Sequence, residues 1–146
     1  MPWELGPGVV ELPDGARLRG RSLRADAPPE PPPEWALYLG GRRPAVPPWP
    51  SRWLRWPDFW LPLSPEQARE AFEEAHRRAT AGQLVEVACP GGIGRTGTAL
   101  ACIAQLGGVS AGEASGWVRD RYHPRAVETP WQRRYVRRFA RPGPPA

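Results

Sequence analysis

The sequence predicts a single α/β domain, residues 1–146, with a central sheet flanked by helices and a cysteine loop set between a central strand and a buried helix. Three observations predict it. Short β-type runs alternate with amphipathic stretches that carry helix caps. The segment from Gln83 to Leu106 passes from an apolar run through CPGGIGRTG into a stretch that is apolar almost all round. At 146 residues the chain has the length of one domain with a real core.

Residues 9–12 and 17–23 flank Pro13-Asp14-Gly15 and read as a hairpin. Residues 26–33 are too rich in proline for helix or sheet and form an extended connector. WALYL, residues 35–39, reads as a buried strand ending at Gly40-Gly41. Trp49, Trp53, Trp56 and Trp60 fall at helical spacing; Pro50 could open a short turn of helix there, and Pro57 must break it. Core packing is the commoner fate of such tryptophans, with one or two left for a substrate mouth. Ser64-Pro65-Glu66-Gln67 is a capping box that starts a helix running to about Ala81 and stopping at Gly82. Its apolar stripe is Ala68, Phe72, Ala75 and Ala79, and Glu73–Arg77 and Glu74–Arg78 are favourable pairs on the wet side. His76 borders the stripe and reads as a structural or surface residue rather than a catalytic one. Residues 83–88 form a central strand and residues 96–106 a buried helix, followed by a helix boxed by Ser110 and Glu113. A last helix starts at Thr129-Pro130. On its wheel Trp131, Gln132, Tyr135, Val136 and Phe139 face inward, opposite a row of arginines.

All 20 basic residues are arginine, and the formal charge is +5. Residues 117–146 carry eight arginines against Asp120 and Glu128, so the remainder is close to neutral. This basic tail reads as a solvated helix face rather than a nucleic-acid surface. Nothing resembles a signal peptide or a membrane span, and a cytoplasmic location is expected. Cys89 and Cys102 cannot make a disulfide framework. Two histidines and two cysteines do not form a zinc spacing either, so no metal and no cofactor is expected.

Cys89 to Gly97 brings a thiol, a run of glycines and an arginine to where one oxyanion can touch all three. A phosphate monoester has three acceptor oxygens and about two negative charges, and so needs several converging donors. Glycine lets the backbone turn sharply and aim successive N–H groups inward. A helix beginning near Thr96 would point its free N–H groups and positive dipole end at the same anion, and that field suits a thiolate at Cys89. Arg95 offers a planar fork that lysine lacks. The expected phosphate-binding set is Gly91, Gly92, Ile93, Gly94 and Arg95. Taken alone, the stretch also fits a glycine turn entering a helix, with an inert buried cysteine.

Cys-x5-Arg followed by Thr96 and Gly97 resembles the signature loop of the cysteine-dependent protein tyrosine phosphatase superfamily, in a small bacterial-type form. Upstream, Trp56-Pro57-Asp58-Phe59 resembles that family's acid-bearing loop, in the expected order. The motif-bearing part spans about residues 56–140. The resemblance implies that Cys89 attacks phosphorus, Asp58 protonates the leaving oxygen and Arg95 clamps the phosphoryl oxygens. Thr96 Oγ would help stabilise the departing thiolate. Gln132, in a segment similar to a later one of the family, would position the hydrolytic water; the same residue also fits the capping box of Thr129, and the two readings compete. Three features depart from the pattern. Ala88 stands where most members have histidine, Pro90 lacks an N–H, and no aromatic loop of a deep phosphotyrosine pocket is found. The implied function is phosphomonoester hydrolysis through a cysteinyl-phosphate, protein-tyrosine phosphatase first, with dual-specificity or phosphoinositide phosphatase and a catalytically weak phosphate-binding module as alternatives. Its partners would be phosphorylated proteins or small phosphomonoesters, and phosphate and vanadate as inhibitory oxyanions.

Overall fold

The computed structural model describes residues 2–25, 30–57 and 60–140. The expected hairpin is present: β1 (Val9–Glu11) turns into antiparallel β2 (Arg17–Ser22), with Val10 opposite Leu18. WALYL becomes β3 (Trp35–Gly40), buried along its whole length. The tryptophan-rich stretch is not a turn of helix but a strand, β4 (Ser51–Arg55), parallel to β3. The physical reason lies in the pairing. As an edge strand beside β3 it tolerates Pro50 at its start, and its side chains alternate, with Leu54 entering the core while Trp53 Nε1 donates to Gly40 O at 3.0 Å.

Helix α1 (Pro65–Thr80) begins and ends close to where its caps predict. Only the serine half of its box closes, Ser64 Oγ accepting the Gln67 N–H at 3.2 Å. Glu74 pairs with Arg78 as expected, but Glu73 pairs with Arg69 instead of Arg77. His76 ties α1 to the hairpin turn, its Nε2 lying 2.7 Å from Asp14 Oδ2. Strand β5 (Val85–Cys89) follows, then α2 (Gly94–Leu106), α3 (Ala114–Arg121) and α4 (Pro130–Phe139). Ser110 and Glu113 do not box α3 through side chains; the Glu113 N–H is taken by the Ser110 carbonyl in a backbone turn. Among the described residues no helix is long and apolar enough to cross a membrane.

The sheet order is β1-β2-β5-β3-β4, parallel except for the hairpin. Strand β5 is therefore central, with Ser22 of β2 opposite Cys89 and Tyr38 of β3 opposite Ala88. Alternation along these strands separates two faces. Leu37, Leu39, Val85, Val87 and Cys89 join residues of all four helices in the main core, whereas Ala36, Tyr38 and Ala88 form a small second cluster with Leu23 and Trp49. On that second face Glu86, wholly buried, is held by both nitrogen forks of β2: Arg21 Nε and Nη2 at 2.8 and 3.1 Å, and Arg19 Nη2 at 3.0 Å. Burial alone would lower the Arg21 guanidinium, but its bonds to Glu86 raise it above its ordinary value, so Arg21 stays charged.

Candidate active site

Strand β5 ends at Cys89, and the chain then has to reverse into α2 within four residues. Gly92 makes that possible. Its φ is +73°, and a Cβ there would stand 2.6 Å from Ser22 N, so both conformation and space require glycine. The loop is stitched to the end of β2: Ser22 Oγ donates to Pro90 O at 2.8 Å, and Leu23 N to Cys89 O at 2.9 Å. From below, the Tyr122 hydroxyl donates to Gly92 O. The Tyr122 ring lies against Gly20 of β2, where any side chain would strike it. Burial, and after it the charge of Cys89, holds the Tyr122 phenol above its usual range, so it remains a donor.

The Cys89 thiol is nearly enclosed, and the Gly92 N–H donates to its Sγ at 3.1 Å. Helix α2 starts at Gly94, earlier than Thr96, with Ile93 as its N-cap and no side-chain capping bond. In contrast α1 and α4 are both capped by side chains. The first N–H groups of α2 thus remain directed at the cysteine end of the sheet, with the positive end of the helix dipole behind them. A cavity of about 160 Å³ opens there, lined by Cys89, Gly91, Ile93, Gly94 and Arg95 from the loop together with Arg24, Glu128 and Gln132. Arg95, buried, donates from Nη1 to Trp56 O at 2.9 Å and so joins the cysteine loop to the segment that leads into Asp58. Asp58 and Phe59 lie outside the described residues. The far end of that segment is held as well, since Trp60 O accepts from Gln132 Nε2 at 3.4 Å and from Trp56 Nε1 at 2.7 Å.

Gln132 meets both of its competing descriptions. Its Oε1 accepts the N–H groups of Glu128 and Thr129, and its own N–H is accepted by Thr129 Oγ1, which closes a full capping box. Fixed in that way, the carboxamide is also part of the cavity wall. Thr96 Oγ1 is buried and has no hydrogen-bond partner among the described residues, so it is not bonded to Cys89 Sγ. Trp131 does not face inward as the wheel predicts; it is exposed and tilts against Trp60, with ring centres 6.0 Å apart. Cys102 lies wholly buried in α2, and burial pushes its thiol far up. Among the described residues no group of histidines, cysteines and carboxylates is placed to hold a metal ion.

Sequence reasoning missed Arg24 and Glu128. Arg24 enters because β2 runs parallel to β5 with Ser22 level with Cys89, which delivers the residue two places on to the cavity. Glu128 follows Val127, a buried β-branched residue at φ 60°, and no local pattern announces that turn. Arg119 clamps it by donating to Ala126 O and Val127 O at 2.9 and 2.8 Å.

Ala88 points away from the cavity into the second cluster, level with Arg21 and Tyr38. Ala88 is wholly buried, so a histidine here would have to displace its neighbours. Ala88→His is expected to lower unfolding free energy by about 1–3 kcal/mol, the usual cost of overpacking; urea unfolding measures it, and an unchanged midpoint would show that the Tyr38 side yields easily.

Strand, glycine loop and uncapped helix, closed by an arginine, form a cysteine-centred cavity at the carboxyl edge of an α/β sheet. No family model matches the chain. Solved structures do. Tk-PTP in its active form superposes with a TM-score of 0.70 at 24% identity, covering 92% of this chain and 97% of that one. A glycine-to-alanine mutant form of Tk-PTP gives 0.64 at 27% identity, covering 73% and 76%. Kinase associated phosphatase, with its catalytic-site cysteine replaced by serine, gives 0.59 at 16% identity over 72% and 67%. In its fold and its cysteine loop the chain is similar to these cysteine-based protein tyrosine phosphatases.

Proposed function

We propose that the protein hydrolyses phosphate monoesters through a cysteinyl-phosphate, with phosphotyrosine in proteins as its substrate. One observation carries this reading: the 2.9 Å bond from Arg95 to Trp56 O, which joins the cysteine loop to the first residue of the WPDF segment, 39 residues away. The sulfur of Cys89 attacks phosphorus in line while the bond to the leaving oxygen breaks, and Asp58 gives that oxygen its proton. Arg95 and the N–H groups of Gly91 to Gly94 hold the phosphoryl oxygens as charge shifts onto them. Water, oriented by the Gln132 carboxamide, then attacks phosphorus. The S–P bond breaks, and the Asp58 carboxylate takes the water's proton, restoring both groups. The likeness to Tk-PTP supports a tyrosine phosphatase.

The test is phosphate release from matched aryl, phosphopeptide and inositol phosphates, with vanadate inhibiting and chelators without effect. No release from any of them would end the proposal; preference for inositol phosphates would move it to a lipid phosphatase. The acid has its own signature. Asp58→Asn should slow substrates with poor leaving groups by about 10²–10⁴-fold and those with good ones far less, since only the former need the proton. Equal losses across a series of substituted phenyl phosphates would remove Asp58 from the mechanism.

A further inference from the structure

Beneath the cysteine loop, and not among the residues that line the cavity, Tyr122 closes the end of α3. Its ring rests on Gly20 of β2, where a Cβ would stand 2.4 Å from the ring, and its hydroxyl donates to Gly92 O. The phenol is therefore held by the sheet and by its own helix before it reaches the loop.

That bond decides which way one peptide faces. In a trans peptide the carbonyl and the following N–H share a plane and point in opposite directions. With Gly92 O drawn down to the phenol, the Ile93 N–H is turned up toward the cavity that Ile93 lines. Within the protein this donor is unspent: among the described residues no carbonyl or side chain accepts the Ile93 N–H.

The peptides on either side have other anchors. The Gly92 N–H is fixed by Cys89 Sγ at 3.1 Å, and from Gly94 onward the N–H directions are set by α2. The Gly92–Ile93 peptide lies between strand and helix, so no ladder bond passes through it. It also follows a glycine at φ +73°, a residue with a wide choice of backbone angles. The glycine that lets the loop turn thus leaves this peptide loose, and Tyr122 supplies the missing constraint. Turned over, the same peptide would show an incoming anion a carbonyl oxygen in place of a donor.

We propose that Tyr122 is a positioning residue for this site: its hydrogen bond to Gly92 O aims the Ile93 N–H at a phosphoryl oxygen of the substrate. The assignment rests on the phosphatase reading and deepens it, since it names what sets one donor of the cradle.

Tyr122→Phe keeps the ring on Gly20 and removes only the hydroxyl. Ile93 and Ile103 are the two isoleucines of the chain, so isotope labelling of isoleucine nitrogen gives one amide signal at the loop and one deep in α2, told apart with Ile103→Val. In the wild type, saturating tungstate is expected to move the Ile93 amide signal strongly downfield and to leave that of Ile103 in place. In Tyr122→Phe that shift should shrink, and tungstate should bind about tenfold more weakly by calorimetry. Its kcat on p-nitrophenyl phosphate should fall about ten- to a hundredfold with KM changing less, short of the loss for deleting an oxyanion donor outright. A merely structural tyrosine would lower the melting temperature and leave the shift, the affinity and kcat alone, and that result overturns the proposal. So does a wild type that binds tungstate with its Ile93 signal unmoved, a measurement that needs no variant to fold. A wild type that binds tungstate, shifts Ile93 in a Tyr122-dependent way and releases no phosphate keeps the positioning role and sinks the hydrolytic reading instead.

Discussion

Cys89→Ser is expected to release phosphate from an aryl ester about 10⁴–10⁶-fold more slowly than the wild type, the scale on which losing a covalent nucleophile acts. A serine hydroxyl at that position stays protonated at neutral pH and is a far weaker nucleophile than a thiolate. The rest of the cradle survives the change. The Gly92 N–H, the uncapped start of α2 and Arg95 still converge on the same point, so vanadate or tungstate should bind the variant with an affinity close to that for wild type. Phosphate release and calorimetric titration together check this. A serine variant that keeps its rate would show that sulfur takes no part, and one that loses oxyanion binding too would show that the thiol, rather than the loop, holds the anion.

Arg95→Lys should cost about 10²–10³-fold in kcat, the range found when one donor to a developing oxyanion is lost. Lysine keeps the charge but not the planar fork. The guanidinium also spends one nitrogen on Trp56 O, and an ammonium that reaches the phosphate cannot hold that carbonyl as well. The loss should therefore be larger for poor leaving groups than for good ones, because the segment that carries Asp58 is released together with the clamp. Steady-state kinetics over the same phenyl phosphate series reads this. A lysine variant within a few fold of wild type on all of them would mean that a point charge suffices.

What could be read from the chain, and what could not, divides by the range of the interaction. The hairpin, α1 and the unit from β5 through the loop to α2 are written in local chemistry: alternation around Pro13-Asp14-Gly15, a serine cap, and glycines where a strand must turn into a helix. Strand β4 is not local. Its tryptophans at helical spacing become a strand only because β3 offers an unpaired edge, and no window of sequence contains that edge. Trp131 misleads for a related reason: the wheel gives a direction, but Trp60 gives it a neighbour at the surface. In the site, Cys89, the glycines and Arg95 are contiguous and were legible. Arg24 and Glu128 come from residues 65 places upstream and 39 downstream of Cys89 and arrive only through sheet register and a left-handed turn at Val127.

The Glu86 cluster sets how many residues this chain can gain or lose near Cys89. Glu86 and Cys89 lie on opposite faces of β5, three residues apart, and Arg19 and Arg21 hold the first of them on the face away from the helices. Deleting or inserting one residue between them reverses every side chain beyond the change. Either the carboxylate is then driven into the apolar core, at a cost of about 3–5 kcal/mol for breaking a buried pair, or Cys89 turns away from α2 and Ala88 takes its place in the cradle. In a library of single-residue insertions and deletions scored for both folding and phosphate release, residues 87 and 88 should accept neither. Changes in the loop at 41–50 should be borne with the fold intact, because no strand register passes through it.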